Sequence, residues 1–447
     1  MKTLRFTPKI VFLNLACTGI VLLFTTNSFS QAWLPAGGGM NVSGSTSISA
    51  LAAFNGELYA GGAFDSADGT PAARIAKWDG TSWTPVDSGM NSFVLALAVY
   101  NNELYAGGFF TSAGGTSANY IAKWDGTNWG PVGSGVSFFI NALTVFNGEL
   151  YAGGNFTTAG GNPANRIAKW DGTNWSAVGA GFNAQVKALG VYNNELYAGG
   201  FFTMSGTETI NYVAKWNGTS WDSLGSGTNN YVYALAGYGG SLIAGGSFTM
   251  AGGGTANCIA SWNGTTWDTL AAGFNSRVLS LYVYNTLLYA GGWLTSTGST
   301  PVSHIASWDG TNWSALGAGT DNYVYAITDF SNDIYAGGTF QNAGSSSAHY
   351  VAHWVLPTAV PDVVQINPSS VLVYPNPVST EATIEVNDSQ FTVYDLLVYD
   401  ISGKSVIQLK DQTTSSKIQR GTLKSGIYVY KIISGDKRAL TGKFVIE

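Results

Sequence analysis
Four residues, Tyr-Ala-Gly-Gly, recur through the chain at one unvarying interval. The Tyr stands at 59, 105, 151, 197, 289 and 335, and Ile243 before the same Ala-Gly-Gly fills the gap, so every step is 46 residues. A second motif, Ile/Val-Ala-x-Trp, keeps the same step with its Trp at 78, 124, 170, 216, 262, 308 and 354. A third Trp series follows five residues later, at 83, 129, 175, 221, 267 and 313. Its missing seventh copy lies at the other end, where Trp33-Leu-Pro directly precedes the first repeat and resembles Trp83-Thr-Pro. After Trp354 the pattern stops at Val355-Leu-Pro. A linear solenoid has no reason to begin with its last element. A closed ring has one, because the first strand then completes the last unit.

Within the second repeat, four β runs are expected at 94–100, 103–110, 120–124 and 128–133, separated by Asn-Asn, a Thr-Ser-Ala-Gly-Gly loop and Asp-Gly. Four strands per 46 residues predicts a propeller blade. The fold class read from the sequence is therefore all-β: a seven-bladed β-propeller at 31–355, the Trp33 segment closing the last blade, followed by a small β-sandwich. The apolar run ending in Gly-Gly, with Trp 16 residues later, resembles kelch-type and galactose-oxidase-like repeats over residues 32–354, and the closure resembles that of WD-repeat propellers. That resemblance implies architecture only, since propellers serve as scaffolds, lectins and enzymes alike.

Composition supports a β-rich ring and excludes other classes. The 447 residues include 58 Gly and 60 aromatics but only 46 formal charges. Such an aromatic load excludes a disordered chain. Residues 1–30 read as an export signal, with basic Lys2, Arg5 and Lys9, an apolar run at 10–24, and Ser28-Phe29-Ser30 before Gln31. The apolar run is too short for a membrane span. Cys258 is then the only mature cysteine, so an internal disulfide is excluded and packing must carry stability.

Two sets of positions vary between repeats. Glu57, Glu103, Glu149 and Glu195 open the second strand, and Lys77, Lys123, Lys169 and Lys215 precede Trp in the third; repeats five and six lose both charges together, and the seventh has Asp333 and His353. These are expected to be structural ion pairs. At the start of the innermost strand stand Ser47, Phe93, Phe139, Gln185, Tyr231, Arg277 and Tyr323; two residues on stand Ser49, Leu95, Asn141, Lys187, Tyr233, Leu279 and Tyr325. In a propeller these ring one mouth of the central channel, where aromatics mixed with amides and cations suit a sugar or an extended peptide. The candidate ligand-binding residues are Phe93, Phe139, Gln185, Lys187, Tyr231, Tyr233, Arg277, Tyr323 and Tyr325.

No catalytic set, metal site or cofactor is expected. Asp65-Ser-Ala-Asp-Gly lacks the alternating carboxylates of a Ca²⁺ loop. Asp125-Gly-Thr-Asn-Trp is one residue shorter than a sialidase Asp-box and is sufficient as a hairpin turn. His304 shares its slot with Arg74, Tyr120, Arg166, Tyr212, Cys258 and Tyr350, which marks a packing position. Nucleic acid is not an expected partner, because residues 31–368 hold 8 basic and 18 acidic side chains.

Residues 369–447 differ, with 9 basic and 8 acidic side chains and no Trp. A Pro-rich stretch at 356–371 reads as a linker. Alternating runs at 383–386, 396–399, 427–433 and 443–446 predict a β-sandwich. The succession Tyr374-Pro-Asn-Pro, Leu397-Val-Tyr-Asp-Ile-Ser-Gly-Lys, Leu423-Lys-Ser-Gly-Ile-Tyr-Val-Tyr-Lys and Lys443-Phe-Val-Ile-Glu closely resembles the type A C-terminal sorting domain of the type IX secretion system of Bacteroidota, over residues 372–447. The resemblance implies engagement of that machinery, export, and release or attachment at the cell surface. The expected function is a non-catalytic binding or adhesion module for a carbohydrate or a surface protein. One alternative is a polysaccharide lyase or hydrolase drawing on Asp321, Asp329, Lys187 and Arg277; another is a purely structural surface protein.

Overall fold
The computed structural model describes residues 31–41, 46–356, 371–387, 392–400, 405–434 and 439–447. The export signal expected at 1–30, the linker residues 357–370 and the Ser402-Gly403 turn lie outside the described residues. The chain divides into two compact units, with the division between Leu356 and Pro357. Every regular element described is a β-strand.

The second repeat shows the plan of the first unit. Its strands Val94–Tyr100, Glu103–Gly108, Ile121–Trp124 and Trp129–Pro131 form one antiparallel sheet in chain order. The second strand is buried from Leu104 to Gly108, which is why it reads as an unbroken apolar run rather than an alternating one. Strand ends are shorter than expected. The Thr-Ser-Ala-Gly-Gly stretch is more ordered than a loop: Ser112–Ala113 pairs with Thr116–Ser117 in a two-strand ribbon. Among the described residues, seven four-stranded sheets in this unit follow the plan, and they resemble propeller blades. In the last, Ala32–Pro35 supplies the outer strand, with Trp33 opposite Trp354.

The two glycines of each motif answer to two close approaches. A Cβ on Gly107 would sit 2.7 Å from Cγ2 of Ile140, in the next repeat's first strand. A Cβ on Gly108 would meet the carbonyl oxygen of Phe93 on the neighbouring strand of the same sheet. The first glycine lets sheets pack face to face; the second admits a backbone irregularity described below. Gly337, in the seventh repeat, stands in the same way against Ile48 of the first. Paired indoles complete each sheet, as in Trp124 and Trp129 at 5.3 Å.

In the second unit, Val371–Tyr374, Glu381–Val386 and Ser415–Gln419 form one sheet, and Ser405–Gln412, Tyr394–Tyr399, Gly426–Ser434 and Ala439–Ile446 another. Ile384 and Ile418 of one share a core with Leu396, Ile432 and Phe444 of the other. The strands at 405–412 and 415–419 escaped the sequence reading because their polar composition hides the alternation.

Candidate ligand-binding rim
The rim residues owe their placement to a bulge repeated in every first strand. In the third repeat, Ile140 pairs with Gly154 and Ala142 with Gly153, leaving Asn141 without a partner between them. The same shift leaves Lys187 and Tyr233 unpaired in the next two repeats. A bulge re-aims a side chain, and here it aims the second variable position of each repeat. The carbonyl it displaces is the one resting on the motif's second glycine.

A further residue follows the Gly-Gly of each repeat, and in three repeats its ring packs against the residue just before the next repeat's first strand. Phe109 stacks on Phe139 at 4.2 Å, Phe201 on Tyr231 at 4.1 Å, and Trp293 on Tyr323 at 4.5 Å. These stacks fall at alternate junctions. The sequence reading missed this position, although a signal was there: in three repeats the residue after Gly-Gly and the one 30 residues on are aromatic together, and Asn155 and Gln185 are amides together, whereas Ala63 precedes Phe93 and Ser247 precedes Arg277.

A fourth rim position is left-handed at all seven repeats, with Arg74, Tyr120, Arg166, Tyr212, Cys258, His304 and Tyr350 at φ of 63–79°. Glycine would adopt this backbone without strain, yet no repeat uses it. The side chains are put to use: Arg74 lies 5.7 Å over the Phe93 ring, while Tyr212 and His304 meet Tyr231 and Tyr323 edge-on.

Seven of the nine candidate residues fall into three groups. Phe93 is 44% exposed and touches Phe109 edge-on, but Phe139 is covered by Phe109 and only 8% exposed. The exposed ring of that repeat is instead Phe138, at 42%. Around Phe201 gather Lys187 (5.5 Å above the ring), Tyr231 and Tyr233. Around Trp293 gather Arg277 (4.7 Å above the ring) and Tyr323. Gln185 and Tyr325 are half-buried outside these ring clusters.

Lys187 Nζ donates to Asn141 Oδ1 at 3.1 Å. Burial lowers its pKa from the ordinary lysine value. Burial also lowers His304, whose Nδ1 has no partner, and pushes the Cys258 thiol up to about 11, so neither group is a ready cation or nucleophile. Asp68, of the Ca²⁺-like run, accepts from the backbone N–H of Gly38 and of Trp83. Among the described residues no cluster of His, Cys, Asp and Glu could hold a metal.

The Glu and Lys residues line the opposite ends of the sheets. Lys77, Lys123, Lys169 and Lys215 lie 2.9–3.0 Å from Glu57, Glu103, Glu149 and Glu195. Register places each Lys opposite the Tyr two residues beyond its Glu, so the pairs are diagonal. That Tyr donates to the same Glu, as in Tyr197 to Glu195 at 2.6 Å. Burial and the adjacent carboxylate raise Tyr59 and Tyr151 to about 12. A cavity of about 540 Å³ opens between two such networks, beside Trp216, but its lysines and glutamates are already paired with one another and its Asp222 accepts from the side-chain amide of Asn217.

Residues 372–447 match the family described as the secretion system C-terminal sorting domain. This tail indicates export by the type IX secretion system, to the cell surface or beyond it. No curated protein sequence matches the chain. Among solved structures, PorZ, an essential surface component of the type IX secretion system of Porphyromonas gingivalis, is 14% identical at a TM-score of 0.44, covering 91% of this chain and 61% of PorZ. An extracellular domain assigned to a hybrid two-component system of B. thetaiotaomicron is 10% identical at a TM-score of 0.45, covering 91% of this chain and 56% of that one. The chain thus spans under two thirds of either. Among the described residues no helix is long and apolar enough to cross a membrane.

Proposed function
We propose that the first unit is a closed, seven-bladed, kelch-like propeller that acts as a non-catalytic binding or adhesion module, with its ligand at the rim where the first strands begin. The sorting tail would be removed on export, leaving the ring released or held at the cell surface. A carbohydrate or a surface protein is the partner class.

One observation carries this reading. Four positions per blade vary widely in chemistry, and one of them keeps a side chain in all seven repeats, mostly Arg, Tyr or His, in a left-handed conformation that favours glycine, while the intervening Val94, Ile140, Val186 and Val232 stay apolar and fully buried. Strain kept at repeated positions argues for what the side chains touch rather than for the backbone. The acids that an enzyme would draw on do not converge: Asp321, in the loop before the strand Val324–Phe330, accepts from the backbone N–H of Gln341 and Asn342, whereas Asp329 accepts from Tyr282 at the far end of that strand, roughly 17 Å along it.

The test is a glycan and surface-extract array probed with the full chain and with the Phe201→Ala/Tyr231→Ala double variant. The reading expects binding by the parent and its loss in the variant. Unchanged binding would place the ligand elsewhere and overturn it.

A further inference from the structure
Charge is distributed unevenly between the two ends of the first unit. Residues 31–356 hold 8 cationic and 17 acidic side chains. Four of the cations are the lysines paired with glutamates. The other four, Arg74, Arg166, Lys187 and Arg277, all occupy rim positions, and among the described residues none forms an ion pair. The rim positions number 28 (four in each of seven repeats), and not one is Asp or Glu. Asp321, in the loop before Tyr323, is occupied by the amides of Gln341 and Asn342. An acidic ring has therefore gathered every unpaired cation at one mouth and kept acids from that circle, which focuses positive potential there.

We propose that this rim recognises an acidic polysaccharide, with uronate carboxylates held by Lys187 and Arg277 and sugar rings lying against Tyr231 and the neighbouring aromatic faces. The inference rests on the rim being the binding face, and it adds the ligand's chemical class. A desolvated ammonium without a counter-ion is costly, and an incoming carboxylate supplies the missing partner. Burial has lowered the Lys187 pKa, and the same carboxylate would raise it again. A glycan fits better than an acidic peptide because, among the described residues, the hydroxyls of Tyr231, Tyr233 and Tyr323 make no hydrogen bond. Such hydroxyls match a ligand dense in hydroxyl groups, and flat rings match sugar faces.

Binding of the full chain to polygalacturonate, to its fully methyl-esterified form and to polyglutamate separates the possibilities. Esterification keeps the sugar skeleton and removes the charge. Polygalacturonate is expected to bind at least about tenfold more tightly than the ester, with the advantage shrinking as salt rises. Lys187→Ala/Arg277→Ala should abolish that advantage, Lys187→Arg should retain most of it, and Lys77→Ala at the other end should leave it intact. Matched thermal melts of each variant verify that the ring is folded. Equal binding of acid and ester, both lost in Phe201→Ala/Tyr231→Ala, would overturn the charge inference and leave the rim reading standing. Binding of neither sugar would overturn the acidic-polysaccharide inference while the array still tests the rim reading, and equal binding of polyglutamate would overturn the choice of a glycan.

Discussion
The indole Nε1–H of Trp33 donates to the carbonyl oxygen of Leu316 at 2.8 Å, across 283 residues of chain. The same bond links every other outer Trp to the repeat before it. Trp83 reaches Ala36, Trp175 reaches Val132 and Trp267 reaches Leu224, each three residues past the preceding outer Trp. Trp33 is thus the successor of Trp313 in space and the predecessor of Trp83 in sequence. One side chain joins the two ends of the repeat array.

Trp33 should therefore matter as much as an interior Trp despite lying in the first strand of the unit. It is buried and packs on Trp354 with ring centroids 5.4 Å apart. Trp33→Ala is expected to cost about 3–5 kcal/mol, and Trp33→Phe, which leaves the Leu316 carbonyl unpartnered, about 1 kcal/mol. Trp129→Phe should cost less, because its bond to Val86 is longer, at 3.4 Å. Urea unfolding of the three variants checks the order. A near-neutral Trp33→Ala would mean that the contacts of Trp33 with the seventh repeat are not what stabilises the unit.

The two motif glycines should differ in tolerance. Replacing Gly107 by Ala presses on a side-chain methyl of Ile140, which can rotate or shift. Replacing Gly108 presses on the Phe93 carbonyl, part of a backbone already committed to the bulge. Gly107→Ala is expected to cost about 1–3 kcal/mol, and Gly108→Ala more. Equal losses in a denaturant titration would show that the bulge is not what requires glycine.

The bulge also marks where sequence reading ran out. The 46-residue step was enough to foresee the four-stranded sheets and the role of Trp33, because identical spacing demands identical packing. It could not reveal that Asn141 and Lys187 are extra residues, since a bulge is a relation between two backbones and the sequence shows only Gly-Gly. Phe138 and Phe139 illustrate the same gap. Which of two adjacent rings is exposed depends on Phe109, 30 residues away in sequence. The ion-paired residues were legible because both partners disappear together in repeats five and six.

Glu103 and Lys123 should be coupled, but weakly. Their side chains remain 23% and 37% exposed, so solvent screens the pair and the coupling is expected at about 0.2–1 kcal/mol. A double-mutant cycle of Glu103→Gln and Lys123→Met, read by thermal melts, measures it. The coupling should halve or more at high salt. Strict additivity of the two substitutions would sink the assignment.

Removal of residues 372–447 should block export while sparing the first unit. In a host that has the type IX system, the truncated chain is expected in the periplasm and the full chain at the surface or in the medium. Cell fractionation distinguishes the two, and surface display of the truncated chain would disprove dependence on the tail. The purified truncated chain should retain the melting transition of the first unit, because that unit has hydrophobic clusters of its own.

The hairpin turns between paired Trp residues make a pH prediction with a defined sign. Thr81 and the amides of Ser82 and Thr81 hold Asp79 down to about 2, and the amides of Asn128 and Thr127 hold Asp125 below the ordinary carboxylate value. A folded-state pKa below the unfolded value of about 3.9 adds stability above that pH, which is lost as pH falls toward the folded value. These turns should therefore weaken between about pH 4 and pH 2. Two repeats already dispense with the charge: Asn217 accepts from the amides of Thr219 and Ser220 at 2.9 and 2.8 Å, much as Asp125 does at 2.7 Å from Thr127 and Asn128. The combined variant Asp79→Asn/Asp125→Asn/Asp171→Asn/Asp309→Asn should fold normally at neutral pH. Its melting temperature should then drop less than the parent's between about pH 6 and about pH 2.5. An identical acid limb in parent and variant would show that the turn carboxylates are not what couples this unit to pH.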